Sequence, residues 1–229
     1  MTQESITPGT LNALRRFDSA TVSNAVEHFK VRDQVTGYAS MELRSQFPDY
    51  ETMVGYAVTC TADTTANNDD RPKRLGDLLD HLRSAPKPAV LVIQYQGSDR
   101  LRSCFIGDML AKAMHKLGVV GIVTDGGFRD KKGIEKRAPN LQIFSPGTVV
   151  SHGHGAFLDF GIPVSVCGLA IVAGDLLHGD ANGLLTIPHA IAADVVDRAN
   201  DVVEQEQKYF ELLDRDDFQV DNLKQAFGI

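Results

Sequence analysis

The run from Ser103 to Gly127 limits the possible folds more than any other part of the chain. Ser103-Cys-Phe-Ile106 reads as a short strand, Gly107 as a tight turn, and Asp108–Leu117 as a helix with apolar residues at three- and four-residue steps. Gly118 stops that helix, Val119–Thr124 is the next strand, and Asp125-Gly-Gly127 turns the chain again. A strand–turn–helix–strand order implies parallel strands with a covering helix. The two strand ends then open on one edge of the sheet, where α/β proteins usually hold their ligands.

The flanking segments fit around this centre. Thr10–Phe29 has helical periodicity through Leu11, Leu14, Phe17, Val22, Ala25, Val26 and Phe29; Asp18 and Ser19 offer a second N-cap, so two short helices are an alternative. Residues 31–50 read as a connecting loop, Val54–Cys60 as a strand, 61–73 as an exposed polar loop, Leu75–Leu82 as an amphipathic helix and Ala89–Ile93 as a buried strand. Beyond residue 140, Val149–Ser151, Val164–Val166, Asp175–His178 and Leu184–Ile187 read as short strands, with Asp180-Ala-Asn-Gly183 as a hairpin turn. A helix from Pro188 to about Leu213 closes the chain, presenting Ile191, Val195, Ala199, Val202 and Val203 on one face. No linker-like boundary is visible, so residues 1–229 are expected to form a single α/β domain.

Charge narrows the partners. With 23 basic and 30 acidic residues the chain carries −7, and it has no long basic run, which disfavours nucleic-acid binding. Local clusters such as Arg129, Lys131 and Lys132 can still attract a small anion. Cys60, Cys104 and Cys167 are few, odd in number and far apart, as expected of small buried residues in a reducing compartment. The N-terminus lacks an apolar signal region and no stretch approaches a membrane span, so a cytoplasmic protein without membrane contact is expected.

Three features could converge. Gly107-Asp-Met-Leu110 joins a strand to a helix start, where unpaired amides and the positive end of the helix dipole suit a carboxylate. Arg129 can take a carboxylate bidentately. Asp108 and Asp130 supply oxygen donors without clustered His or Cys, a set suited to Mg²⁺ or Mn²⁺. Taken singly, each has a plainer reading: a turn glycine, a first-turn acid, a surface ion pair. Asp125 reads as a loop-shaping Asx residue. Ser151-His-Gly-His-Gly155 puts two imidazoles on one strand face, but only His178 could approach as a third ligand, and the glycines favour an ordinary loop.

Gly107-Asp-Met-Leu-Ala111, Gly118-Val-Val-Gly121 and Asp125-Gly-Gly-Phe-Arg-Asp130 resemble the signature of the RraA-like family, which includes 4-hydroxy-4-methyl-2-oxoglutarate aldolases. Phe17–Ala25, Val54–Ala57 and Ala173–Pro188 extend the likeness from about residue 11 to 190. The resemblance implies an αββα sandwich similar to the swivelling phosphohistidine (β/β/α) domain. It also implies a homotrimer or homohexamer with active sites at subunit interfaces. In the aldolase branch it implies substrate binding by Gly107, Asp108, Met109, Leu110 and Arg129, metal binding by Asp130, and catalysis by Arg129 and Asp108. The acid that precedes Arg129 by twenty intervening residues accompanies lyase activity, and Asp108 supplies it here.

The implied activity is divalent-metal-dependent cleavage of a 4-hydroxy-2-oxo acid to pyruvate, with possible decarboxylation of oxaloacetate. Both reactions pass through a pyruvate enolate that a Lewis acid and Arg129 would stabilise. Two other readings compete. A non-catalytic regulator would resemble the branch that binds ribonuclease E, and Asp108 and the acidic balance lean against it. A methyltransferase, the label many family members carry, would need a glycine-rich loop after its first strand; Thr61-Ala-Asp-Thr-Thr has no glycine.

Overall fold

The computed structural model describes residues 6–66 and 72–229. Its helices are α1 (Pro8–Leu14), α2 (Ser19–Glu27), α3 (Leu75–Ser84), α4 (Asp108–Lys116), α5 (Lys131–Arg137), α6 (Ala192–Leu213) and α7 (Val220–Phe227). The strands are β1 (Arg44–Ser45), β2 (Met53–Asp63), β3 (Ala89–Tyr95), β4 (Cys104–Ile106), β5 (Val119–Thr124), β6 (Gly127–Phe128), β7 (Gln142–Ser145) and β8 (Gly147–Thr148). They continue with β9 (Ala156–Phe160), β10 (Val164–Val166), β11 (Leu169–Ile171), β12 (Leu176–Asp180) and β13 (Gly183–Ile187).

Among the described residues the strands form three sheets. The largest runs β1-β7-β5-β3-β2-β12-β13, with β9 also paired to β2. Its centre, β2-β3-β5-β7, is parallel, and its margins are antiparallel. A second sheet, β4-β6-β8, is parallel throughout, and β10-β11 is a hairpin. This is the mixed α/β layering that the sequence predicts, with one correction. The helix after β4 does not return to a neighbouring strand of the same sheet, because both edges of β5 are taken by β3 and β7. Strand β4 pairs with β6 instead, Cys104 facing Gly127 and Ile106 facing Phe128. Helix α4 therefore bridges two sheets, and the ends of β4 and β6 lie side by side.

Alternation along the central strands divides the core. In β3, Leu91, Ile93 and Tyr95 join a cluster that takes in Leu78 and Leu82 of α3, Ala111 and Met114 of α4 and Ile134 of α5. Val90 and Val92 point the other way, toward Val164, Val166, Leu169 and Ile171 of the β10-β11 hairpin. A third cluster seats α1, α2 and α6 on Val54, Leu176, Leu185 and Ile187. Burying side chains of this size is worth about 1.5–3 kcal/mol each, which fixes the helices that carry the site.

The N-terminal helical segment is two helices, as Asp18 allows: its Oδ1 accepts the Thr21 N–H at 2.7 Å and caps α2. The next residue is locked from β12. The Ser19 N–H donates to Asp180 Oδ2 at 2.7 Å, and Ser19 Oγ lies 3.2 Å from Nδ1 of the fully buried His178. Several other expectations are corrected. Strand β2 runs to Asp63, so Thr61–Thr64 are buried rather than looped out; 67–71, also expected in that loop, lie outside the described residues. Val149–Ser151 is not a strand, residues 31–50 include the short strand β1, and the residue pattern does not predict β6, β7, β8, β9, β11, α5 or α7. On α6, Val195 and Ala199 are buried but Val203 is exposed, because the helix leaves the body before that point.

Candidate active site

The β4-β6 pairing brings the tip of α4 against the Arg129-Asp130 turn. The Arg129 N–H donates to the Ile106 carbonyl at 2.9 Å, so the backbone after β6 is held beside Gly107. Gly107 is the N-cap of α4, and the helical ladder starts where the Ala111 N–H meets the Gly107 carbonyl at 2.9 Å. The amides of Asp108, Met109 and Leu110 precede that ladder. The Asp108 amide approaches Asp130 Oδ2 at 3.4 Å, and Arg129 Nε lies 3.5 Å from the same oxygen. Gly107 has extended backbone angles, so φ does not explain the glycine; space does. A Cβ there would stand 2.8 Å from Asp130 Oδ2 and 3.3 Å from Arg129 Nε.

Asp130 itself adopts left-handed angles (φ 61°, ψ 36°), which an aspartate tolerates better than most residues. That conformation ends β6 abruptly and starts α5, whose Gly133 lies against Asp108; a Cβ on Gly133 would be 2.7 Å from Asp108 Oδ2. Asp108 pairs through the same oxygen with Arg137 Nη1 at 2.8 Å.

Gly107, Asp108, Met109, Leu110, Arg129 and Asp130 all line one cavity of about 950 Å³. The Asp108, Arg129 and Asp130 side chains are partly exposed, at 25%, 36% and 40%. Asp125 lies behind the cavity rather than in it. It is buried, its Oδ1 accepts the Tyr95 N–H at 2.9 Å, and burial raises its carboxyl above the ordinary range, so it shapes the loop. Cys104 does line the cavity, but burial, partly offset by Arg129, pushes its thiol up to about 11, which keeps it protonated and inert.

The His152–Gly155 segment is a loop, not a strand, and it forms part of the cavity wall with Lys73 and Ala156. His178 cannot join it: both ring nitrogens face inward, Nε2 toward the Leu14 carbonyl at 3.2 Å and Nδ1 toward Ser19. Sequence reasoning missed Lys73, Leu75, Leu79, Phe105 and Ala113 as wall residues. For Leu75 and Leu79 the available signal was a second apolar stripe on α3, since Leu78 and Leu82 already fill the core.

Among the described residues no group of three or more His, Cys, Asp or Glu could form a closed metal cage. The donors at the site suit a different kind of ion. A hard cation that keeps most of its water and takes one or two carboxylates plus substrate oxygens needs little more than Asp130. The space a Gly107 Cβ would fill is what leaves Asp130 Oδ2 approachable.

A family model described as RraA-like, Aldolase/RraA, matches residues 19–186, a span that includes every cavity residue. The chain belongs to this family. Within it, a protein of Halalkalibacterium halodurans provisionally named 4-hydroxy-4-methyl-2-oxoglutarate aldolase is 33% identical over 111 residues, 48% of this chain and 51% of that protein. The chain thus spans about half the length of this relative. An uncharacterised protein of Pseudomonas syringae pv. tomato superposes with a TM-score of 0.76 at 23% identity, covering 99% of this chain and 96% of the other. Streptomyces coelicolor RraAS2, described as an unusual member of the RNase ES inhibitor RraA protein family, gives 0.69 at 24% identity over 91% and 98%. At these identities both structures speak for the shared RraA-like fold. Among the described residues no helix is long and apolar enough to cross a membrane.

Proposed function

We propose that this protein is a divalent-metal-dependent lyase that cleaves a 4-hydroxy-2-oxo acid to pyruvate, with oxaloacetate decarboxylation as a related activity. The observation that supports this reading is the convergence of Arg129, Asp130, Asp108 and the amides at the tip of α4 on a single cavity. Aldolase names among the family relatives agree with it.

In this reading the substrate carboxylate docks on the Met109 and Leu110 amides and on the Arg129 guanidinium, which also lies where negative charge collects on the 2-oxo oxygen. A preorganised donor of that kind typically contributes about 3 kcal/mol. Asp130 would hold a Mg²⁺ or Mn²⁺ ion, which when bound supplies Lewis acidity to the 2-oxo group. Asp108, steadied by Arg137, accepts the proton of the 4-hydroxyl through a bridging water. As that proton leaves, the C3–C4 bond breaks, its electrons enter the pyruvate enolate, and C3 then takes up a proton to give pyruvate. Met109, 83% exposed at the cavity mouth, suits coverage by a neighbouring subunit of a trimer or hexamer.

The test is pyruvate release from a panel of 2-oxo acids with Mg²⁺, with Mn²⁺ and with chelator. Activity that needs metal and is lost in Arg129→Ala and Asp130→Ala is expected. Normal activity in either variant, with metal present, would end this reading.

A further inference from the structure

Two walls of the cavity come from distant parts of the chain. One is the anchor, formed by β4, the tip of α4 and the Arg129–Asp130 turn; the other is the His152–Gly155 loop, which leads directly into β9. Thr64 does not line the cavity, yet it is hydrogen-bonded to both walls from a buried position at the end of β2. Its Oγ1 accepts the N–H of Cys104, the first residue of β4, at 3.2 Å. Its carbonyl accepts the His154 N–H at 2.8 Å.

The loop is pressed onto this residue. Gly153 has left-handed angles (φ 56°), and a Cβ there would stand 2.2 Å from the Thr64 carbonyl oxygen. The turn that carries Thr64 is braced in its own right. Asp63 Oδ1 accepts the Thr65 N–H at 2.8 Å, the Thr65 hydroxyl at 2.9 Å and the Ala66 N–H at 3.2 Å. Thr65 Oγ1 in turn accepts the Ser98 N–H at 3.0 Å. Asp63 also pairs with Ala156 in the β2-β9 ladder, next to the loop. Thr64 therefore cannot follow one wall without lengthening its bond to the other.

Strand β4 has only three residues, and its pairing with β6 and the Ile106–Arg129 bond tie it to the anchor itself. The Cys104–Thr64 bond is different, because it refers the anchor to β2 and to the opposite wall. A ligand that touches the anchor alone does not sense the spacing between the walls. One that extends beyond it does, and a small misalignment of a bond to be broken is costly in rate.

We infer that Thr64 is a positioning residue that sets the spacing between the carboxylate anchor and the His152–Gly155 wall, and with it the alignment of the substrate for cleavage. The inference rests on the lyase reading for the cleavage step, whereas the spacing is measured by binding.

The test is Thr64→Val, which keeps the shape but removes the acceptor, beside Thr64→Ser, which restores it. Thr59→Val is the control: it makes the same change at a buried position of the same strand, where the hydroxyl donates to the Ile162 carbonyl at 2.7 Å away from the cavity. Pyruvate-release kinetics on the best-cleaved 2-oxo acid are paired with calorimetry in Mg²⁺ for oxalate, which occupies only the anchor, and for 2-oxoglutarate, which extends beyond it. In Thr64→Val, kcat/KM should fall at least tenfold and 2-oxoglutarate should bind at least fivefold more weakly, with oxalate within threefold of wild type. Thr64→Ser should return all three to within threefold, and Thr59→Val should change none of them even where it lowers the urea midpoint. Gly153→Ala moves the loop alone and supplies the same reading should Thr64→Val not fold: it should weaken 2-oxoglutarate and spare oxalate. If wild type cleaves no compound but the two ligands still separate in these variants, the lyase reading fails and the role of Thr64 stands. Unchanged binding in Thr64→Val or, where it does not fold, in Gly153→Ala, equal losses for both ligands, no recovery in Thr64→Ser, the same losses in Thr59→Val, or no binding of either ligand by wild type would overturn the inference.

Discussion

Asp108 at the start of α4 and Arg137 at the end of α5 are joined by an ion pair of 2.8 Å, so the two helices that frame the candidate site are tied at its edge. Arg137 is more than half exposed, and an exposed pair of this kind contributes at most about 1 kcal/mol to stability. Its expected importance is positional. Arg137→Ala should shift the urea midpoint only slightly yet lower kcat roughly tenfold, because a small misplacement of a reacting group is costly. Urea titration and pyruvate-release kinetics on the same preparation check both halves; a large loss of stability with unchanged kcat would assign the pair to the fold instead.

Gly107 makes a sharper case, since the reason for the glycine is space. Gly107→Ala places a Cβ 2.8 Å from Asp130 Oδ2 and must push that carboxylate or Arg129 aside. As an N-cap with extended angles the position tolerates alanine at a cost of about 1 kcal/mol or less. The folded protein should therefore persist while affinity for Mg²⁺ and for pyruvate each falls by roughly tenfold or more, consistent with a displaced ligand. Calorimetry beside a thermal melt separates the two effects.

How much of this was legible beforehand differs from element to element. The β4–α4–β5 order, the α4 boundaries and the closeness of Gly107 to Arg129 follow from residue pattern, because glycines punctuate apolar runs there. The reason for the closeness was not legible. It depends on β4 pairing with β6 in a separate sheet, and a three-residue strand carries no pattern that names its partner. Strand β9 was hidden for a similar reason: Ala156–Phe160 pairs across a bulge in β2, and its burial pattern does not alternate cleanly. At the site, the polar corner was readable because its chemistry is specific to residue type. The apolar wall was not, since Leu75, Leu79 and Ala113 look like any helical core residues until packing shows which stripe the core leaves over.

Arg129 is expected to act through geometry as well as charge. Arg129→Lys keeps a cation but loses the planar fork that spans two oxygens. A fall in kcat/KM of about a hundredfold is expected, close to the effect of losing one preorganised donor. Since lysine still attracts the anion, KM should move less than kcat. Steady-state kinetics on the best substrate of the panel decides the point: an unchanged kcat with a raised KM would reduce Arg129 to a docking residue.

The last prediction concerns the buried link between α2 and β12. Burial lowers the His178 imidazole below its ordinary range, against weaker opposing contributions from the Leu14 carbonyl and Asp180. The folded protein thus resists a proton that the unfolded chain accepts. Above the unfolded value of about 6.5 the ring is neutral in both states and its full contribution to stability is present. As pH falls through that value the unfolded state gains protons first, and stability declines until the folded ring is protonated as well. Wild-type protein should lose stability between pH 7.5 and 5.5. His178→Gln removes the titrating group, and its loss of the Ser19 contact should cost about 1–3 kcal/mol at pH 7.5. The variant should show a smaller decline over the same interval, with His81 and His115, lowered by burial in the same direction, supplying the slope that remains. Urea midpoints at the two pH values measure this directly, and an identical decline in both proteins would show that the acid sensitivity lies elsewhere.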